Sequence, residues 1–203
     1  LTPDGSTVVY QADQDTDEVS ELYVVPLGGG ATTRLSGAMV AGGDVQAEGF
    51  YTRPYGISPD GAHVFYVADQ LTDQAFELFS VSIDASAGPV RLNAPLPAGG
   101  DVDTSTPTFT ADGTRIMFIA EQNSDDIAEL LSAPSDGSAS PTSLTPSLDP
   151  GPVVGDVTAF HVLPGGTRAL YLADQETDGL FELYSVTLTA HPSVTKLSEP
   201  ANG

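Results

Sequence analysis

Asp13, Asp15, Asp17 and Glu21 stand at positions 1, 3, 5 and 9 of one short acidic stretch. Carboxylates grouped this way offer hard oxygen ligands, and Ca²⁺ takes roughly 6–8 oxygens at about 2.3–2.6 Å. The pattern returns as Asp69, Asp73 and Glu77, as Glu121, Asp125 and Glu129, and as Asp174, Asp178 and Glu182. Position 3 is not kept: it holds Leu71, Asn123 and Glu176, so only positions 1, 5 and 9 are acidic in every copy. Calcium is therefore one expectation, with the first copy the best candidate. The other is that the acids serve the turns themselves, since Asp accepts hydrogen bonds from nearby backbone amides.

No other chemistry is spelled out. There is no Gly-x-Ser-x-Gly elbow, no His-Glu-x-x-His and no phosphate-binding glycine loop. His63, His161 and His191 fall at non-equivalent places, and none pairs with a recognisable nucleophile. A carboxylate pair repeated in every unit reads as scaffold, because an active site is built once. The chain is expected not to be an enzyme, and no cofactor other than calcium suggests itself.

The elements that carry the acids repeat with them. Thr2-Pro3-Asp4-Gly5 returns as Ser58-Pro59-Asp60-Gly61, as Thr110-Ala111-Asp112-Gly113 and, degraded, as Leu163-Pro164-Gly165-Gly166. Each is followed by a β-rich run: Val8-Val9-Tyr10, Val64-Phe65-Tyr66, Ile116-Met117-Phe118 and Ala169-Leu170-Tyr171. The acidic turn comes next, then a strand opened by Glu21-Leu22, Glu77-Leu78, Glu129-Leu130 or Glu182-Leu183. Each unit closes near Leu35, Leu92, Leu144 or Leu197, and Gly43-Asp44-Val45, Gly100-Asp101-Val102 and Gly155-Asp156-Val157 lie between units.

A unit of about 50 residues with several short strands fits a four-stranded propeller blade. Gly, Pro and Asp cut every segment too short for helical repeats. The expected fold is an all-β β-propeller of four repeated blades, at about 1–45, 46–101, 102–156 and 157–203. Strand a runs into the Pro-Asp-Gly turn, as at Thr106 to Thr110, and strands b, c and d follow. Leu1 leaves almost no room for strand a of the first blade. About three and three-quarter blades result, which suggests a segment of a larger propeller.

These turns, the apolar strand after them and the Glu-Leu-Tyr strand resemble the TolB-type β-propeller repeat over essentially the whole chain. The family includes the periplasmic propeller of the Tol system and the propeller domains of prolyl-oligopeptidase-like and tricorn-like peptidases. The resemblance implies the fold and leaves function open, because such propellers serve many roles. The acidic turn departs from the family's shorter, less acidic one. Its spacing in the first copy is similar to the calcium loops of integrin-type propellers.

The chain has 28 acids against 6 bases, a formal net charge of −22, which disfavours nucleic acid and anionic membrane as partners. No apolar run approaches the roughly 20 residues of a membrane-spanning helix. Cysteine is absent, so disulfides and thiolate metal sites are excluded. No leader pattern precedes Leu1, and the chain is read as a mature product or a piece of a longer one. Sixteen of the 28 acids fall in the four acidic turns and their closing Glu, and Asp44, Asp101 and Asp156 make 19. In a blade the b–c turns and d–a connections emerge on the same side, so one strongly negative face is expected. Arg34, Arg91 and Lys196 precede the strand-d leucines and read as charges that discourage edge pairing. Arg115 and Arg168 match each other on strand b, while Arg53 lies between Tyr51 and Tyr55 in the first connection.

Three functional readings follow. The first is a secreted or envelope-associated interaction module whose acidic face binds a protein, a glycan or a cation. The second is the propeller portion of a larger enzyme such as a prolyl-oligopeptidase-like peptidase. The third is a structural protein that self-associates through open propeller edges.

Overall fold

The computed structural model describes residues 1–46, 54–105, 107–124, 126–146, 148 and 155–198. Among these there are fifteen strands and no helix. The first sheet holds β1 (Thr7–Ala12), β2 (Glu21–Pro26) and β3 (Thr33–Arg34). The second holds β4 (Tyr55–Ile57), β5 (His63–Ala68), β6 (Glu77–Ser82) and β7 (Val90–Arg91). The third holds β8 (Thr108–Phe109), β9 (Arg115–Ala120), β10 (Glu129–Pro134) and β11 (Thr142–Ser143). The fourth holds β12 (Val157–Val162), β13 (Arg168–Ala173), β14 (Glu182–Thr187) and β15 (Val194–Lys196). Each sheet is an antiparallel meander in chain order, and the first has three strands where the others have four. The missing inner strand is the one expected from the sequence. Thr106, where an inner strand was expected to begin, lies outside the described residues, as do Tyr51, Thr52 and Arg53.

The central hairpin has the same register in all four sheets. Ala12 pairs with Glu21, Ala68 with Glu77, Ala120 with Glu129 and Ala173 with Glu182, so each acidic turn joins equivalent residues. The a–b turn is equally uniform. Asp4, Asp60 and Asp112 each accept the amide two residues on and the hydroxyl of Thr2, Ser58 or Thr110. The glycine that follows is left-handed at φ 73°, 74° and 71°, a conformation that Gly adopts without steric cost. The degraded fourth copy has neither Asp nor hydroxyl and turns on Gly165 and Gly166, both at positive φ.

Side chains alternate across each strand, so every sheet has two apolar faces. Val9, Leu22 and Leu35 of the first sheet pack on Val64, Tyr66, Phe79 and Val81 of the second. Phe65, Val67 and Leu78 pack in turn on Ile116, Phe118 and Leu131. Met117, Ile119 and Leu130 pack on Ala169, Tyr171 and Tyr184. The face that looks forward along the chain thus always meets the backward face of the next sheet. Sheets stacked this way through meanders of four strands are the blades of a β-propeller.

Candidate functional site

The acidic turns were the sequence's strongest chemical signal, and the structure distributes their carboxylates in three directions. Position 1 turns toward the preceding blade. Asp69 is buried; its Oδ1 accepts the amide of Asp44 at 2.6 Å and its Oδ2 the amide of Gln74 at 2.9 Å. Asp174 repeats this with the amides of Asp156 at 2.6 Å and Gly179 at 2.8 Å. The amide that closes each turn belongs to a left-handed residue, Gln74 at φ 62° or Gly179 at φ 75°, and Glu18 has the matching φ of 63°. Asp13 is exposed and Glu121 half-buried.

Position 9 turns outward to strand d. Glu21, Glu77, Glu129 and Glu182 are all buried. Arg34 Nη1 lies 2.6 Å from Glu21 Oε1, Arg91 Nη1 2.7 Å from Glu77 Oε1, and Lys196 Nζ 2.6 Å from Glu182 Oε1. Tyr23 and Tyr184 donate their hydroxyls to Glu21 and Glu182. Lys196 holds the Glu182 carboxyl below its usual range. The bases read as edge protection stand on the outer strand of their sheets and are also the partners of buried acids.

Position 3 completes this cluster. Asp15 lies 3.7 Å from Arg34, and Glu176 2.7 Å from Lys196. The third blade has no base on strand d. There Asn123 donates directly to Glu129 Oε2, and Ser143 donates to Oε1 at 3.4 Å. Burial without a cation pushes the Glu129 carboxyl up.

Among the described residues the acids of the 1-3-5-9 spacing are not gathered at one point. Asp17, Asp73 and Asp178 at position 5 are exposed, and in the second and fourth copies positions 1 and 9 are drawn apart by the partners just named. Asp125 lies outside the described residues. Among the described residues no three acids or histidines come together around a point that a metal could occupy.

Sequence reasoning missed the role of the Gly-Asp-Val connectors and of the glutamine at position 2. Asp101 accepts the amide of Phe76 at 2.7 Å, and its carbonyl accepts the amide of Glu121 at 3.0 Å. Asp156 joins Ala128 to Asp174 in the same manner, and Asp44 joins Ser20 to Asp69. Each connector is thereby fastened to the blade before it and the blade after it. Gln70 accepts the hydroxyl of Tyr66 and the amide of Gly37, and Gln122 accepts the amide of Ala94. The repetition of Gln and of Gly-Asp-Val in register was the available signal.

Connectors and turns leave clefts between them. One of about 590 Å³ is lined by Asp101, Asp103, Glu121, Asp126 and Asp156. Another of about 500 Å³, one junction earlier, is lined by Glu18, Asp44, Asp69 and Asp73. All five described bases face partners in their own sheets, since Arg115 and Arg168 bond Ser132 and Ser185 across the b–c hairpin.

The class of protein is then a β-propeller domain with carboxylate-lined blade junctions. Solved structures agree with the fold. The chain is similar to a TolB-type protein from Agrobacterium tumefaciens at 19% identity and a TM-score of 0.56, over 97% of this chain and 62% of that one. It is similar to TolB from Acinetobacter baumannii at 14% identity and a TM-score of 0.52, over 98% and 42% of the two chains. Dipeptidyl peptidase 4 from Porphyromonas gingivalis aligns at 14% identity and a TM-score of 0.67, over 98% and 30%. The chain thus spans less than two thirds of each of these proteins. No protein-family model and no curated protein matches it.

Proposed function

We propose that this propeller domain is a non-enzymatic interaction module that holds a basic protein segment in its carboxylate-lined clefts. The observation that carries the reading is the recurrence of such a cleft at two blade junctions, with every described base directed elsewhere. A net charge of −22 adds long-range attraction for a cationic partner, which speeds encounter and fades with salt. A place in the cell envelope or outside the cell is proposed on the likeness of the repeat to the TolB-type propeller. Fractionation of the source cells with an antibody against the chain tests that placement.

The binding test uses a lysine-rich dodecapeptide as probe, titrated by calorimetry at low and at moderate salt. Binding that weakens with salt and falls several-fold in an Asp73→Asn/Asp126→Asn variant supports the reading. Equal affinity for the variant, or no binding at low salt, removes it. A glycan preference would appear on an oligosaccharide array with the same variant.

A second reading makes the chain the propeller portion of a larger peptidase. It draws on the likeness to dipeptidyl peptidase 4, of which the chain spans 30%. The full reading frame decides it, because a hydrolase domain carries a Gly-x-Ser-x-Gly turn.

A further inference from the structure

Glu77 differs from the three glutamates that match it. Glu21 and Glu182 accept on Oε2 the hydroxyls of Tyr23 and Tyr184, two residues on along the same strand. Glu129 accepts on Oε2 the side-chain amide of Asn123. The second blade has neither donor: Phe79 stands at the place of the tyrosines and Leu71 at the place of Asn123. Glu77 is 5% exposed, and its Oε2 is closed to solvent with no hydrogen-bond partner among the described residues. A buried carboxylate oxygen left in this way carries its full desolvation cost, and native structures retain few such atoms.

The same glutamate lines an opening. A cleft of about 490 Å³ lies between the second acidic turn and the connector that follows strand d, with Leu71, Glu77, Arg91, Pro95, Leu96 and Pro97 among its walls. Arg91 Nη1 meets Glu77 Oε1 there, and a guanidinium has further donors to offer. In the other blades position 3 completes this cluster. Asp15 and Glu176 bring an acceptor to the base, and Asn123 brings a donor to the acid. Leu71 does neither and is 51% exposed. The second blade therefore needs a donor for its acid and has room for an acceptor on its base.

We propose that this cleft binds a side-chain carboxamide, the asparagine or glutamine of a partner peptide. A carboxamide carries an N–H donor and a carbonyl acceptor side by side. Its NH2 donates to Glu77 Oε2 while its oxygen accepts from Arg91. A carboxylate lacks the donor and an ammonium lacks the acceptor, so neither completes the cluster. Asn123 shows the same group, carried on a peptide segment, donating to the matching glutamate. Leu71 stands at the place the amide takes, and it turns aside on its exposed turn as the amide enters. The aliphatic stem then rests on Pro95, Leu96 and Pro97. This opening is distinct from the junction clefts and stands whether or not those hold a basic segment.

Titration followed by nuclear magnetic resonance tests this on the whole 203-residue chain. The probes are N-acetyl-asparagine methylamide and its glutamine counterpart. At least one of them gives saturable shifts at Leu71, Glu77 and Arg91, and the matching alanine and aspartate compounds give none. Leu71→Asn fills the place with the chain's own carboxamide, and Phe79→Tyr returns the hydroxyl of the first and fourth blades. Each weakens the probe about tenfold or more, the scale of one hydrogen bond to a charged group. Both variants add a partner for Glu77, so neither lowers Tm, and lost binding is not lost folding. Absence of saturable shifts at these residues overturns the proposal. So does an equal response to the alanine compound, or undiminished affinity in both variants. A stronger response to N-acetylglucosamine, which carries its amide on a sugar, overturns the peptide as occupant.

Discussion

Ser143 Oγ sits 3.4 Å from Glu129 Oε1, at the place where Arg34, Arg91 and Lys196 meet the equivalent glutamates of the other three blades. One buried carboxylate of the four is left with neutral partners, and its proton affinity rises accordingly.

Replacing that serine supplies the missing cation. Ser143→Arg is expected to stabilise the chain at neutral pH by about 1 kcal/mol, a rise of about 2–4 °C in Tm for a chain of this size. The sign follows from linkage. With its folded pKa raised, Glu129 binds its proton more tightly in the native state, so wild-type stability falls as pH climbs from the ordinary carboxylate range through that raised value. The gain from arginine must therefore vanish below that range, which melting curves at acid and neutral pH will show. Glu129→Gln removes the same penalty and leaves no pH dependence at this position.

Breaking a complete pair has the opposite effect. Arg91→Met leaves Glu77 buried without its cation and is expected to cost about 2 kcal/mol, below the roughly 3–5 kcal/mol of a fully buried pair because Arg91 is partly exposed. Adding Glu77→Gln should recover much of the loss, and denaturant titration of the double-mutant cycle reads the coupling.

Acid weakens the a–b turns. Hydroxyl and amide donors depress Asp4 to about 2, and donors of the same kind depress Asp60 and Asp112. Depressed carboxylates stabilise the fold above their unfolded pKa and lose that contribution as pH drops through the folded value. Asp60→Ala and Asp112→Ala should lower Tm at neutral pH, and the difference from wild type should shrink as pH falls through their depressed folded values.

The connectors can be tested one at a time. Asp101→Ala strands the amide of Phe76 and is expected to cost about 1–3 kcal/mol by denaturant titration. Left-handed Gln74 offers the reverse change, and Gln74→Gly should gain about 1 kcal/mol by relieving it.

Chelation is expected to leave the melting curve unmoved. Amides satisfy Asp69 and Asp174 at position 1, a base or Asn123 meets position 9, and among the described residues no three acids converge on a point that calcium could occupy. A shift near the 2.7 kcal/mol that a ligand at about one hundred times its Kd provides would show that the turns rearrange around an ion.

The repeat made the fold legible, down to the three-stranded first blade. Register did this: a period of about fifty residues with turn glycines at fixed places admits few architectures. The destinations of the acids were not legible. Linear spacing places Asp69 and Glu77 eight residues apart, but it does not reveal that one faces the Asp44 amide and the other crosses the hairpin to Arg91. A clue lay in the third copy, where Ser143 replaces the base and Asn123 replaces the acid at position 3. The second copy blurs that clue, because Leu71 replaces the acid there while Arg91 stays.

The connectors fastened on both sides have a thermodynamic consequence. When each unit is held chiefly by its two neighbours, stability behaves as a one-dimensional lattice of intrinsic and coupling energies. Asp101→Ala, which loosens the coupling of blades two and three, should therefore speed the exchange of their amide protons for deuterium more than that of blades one and four.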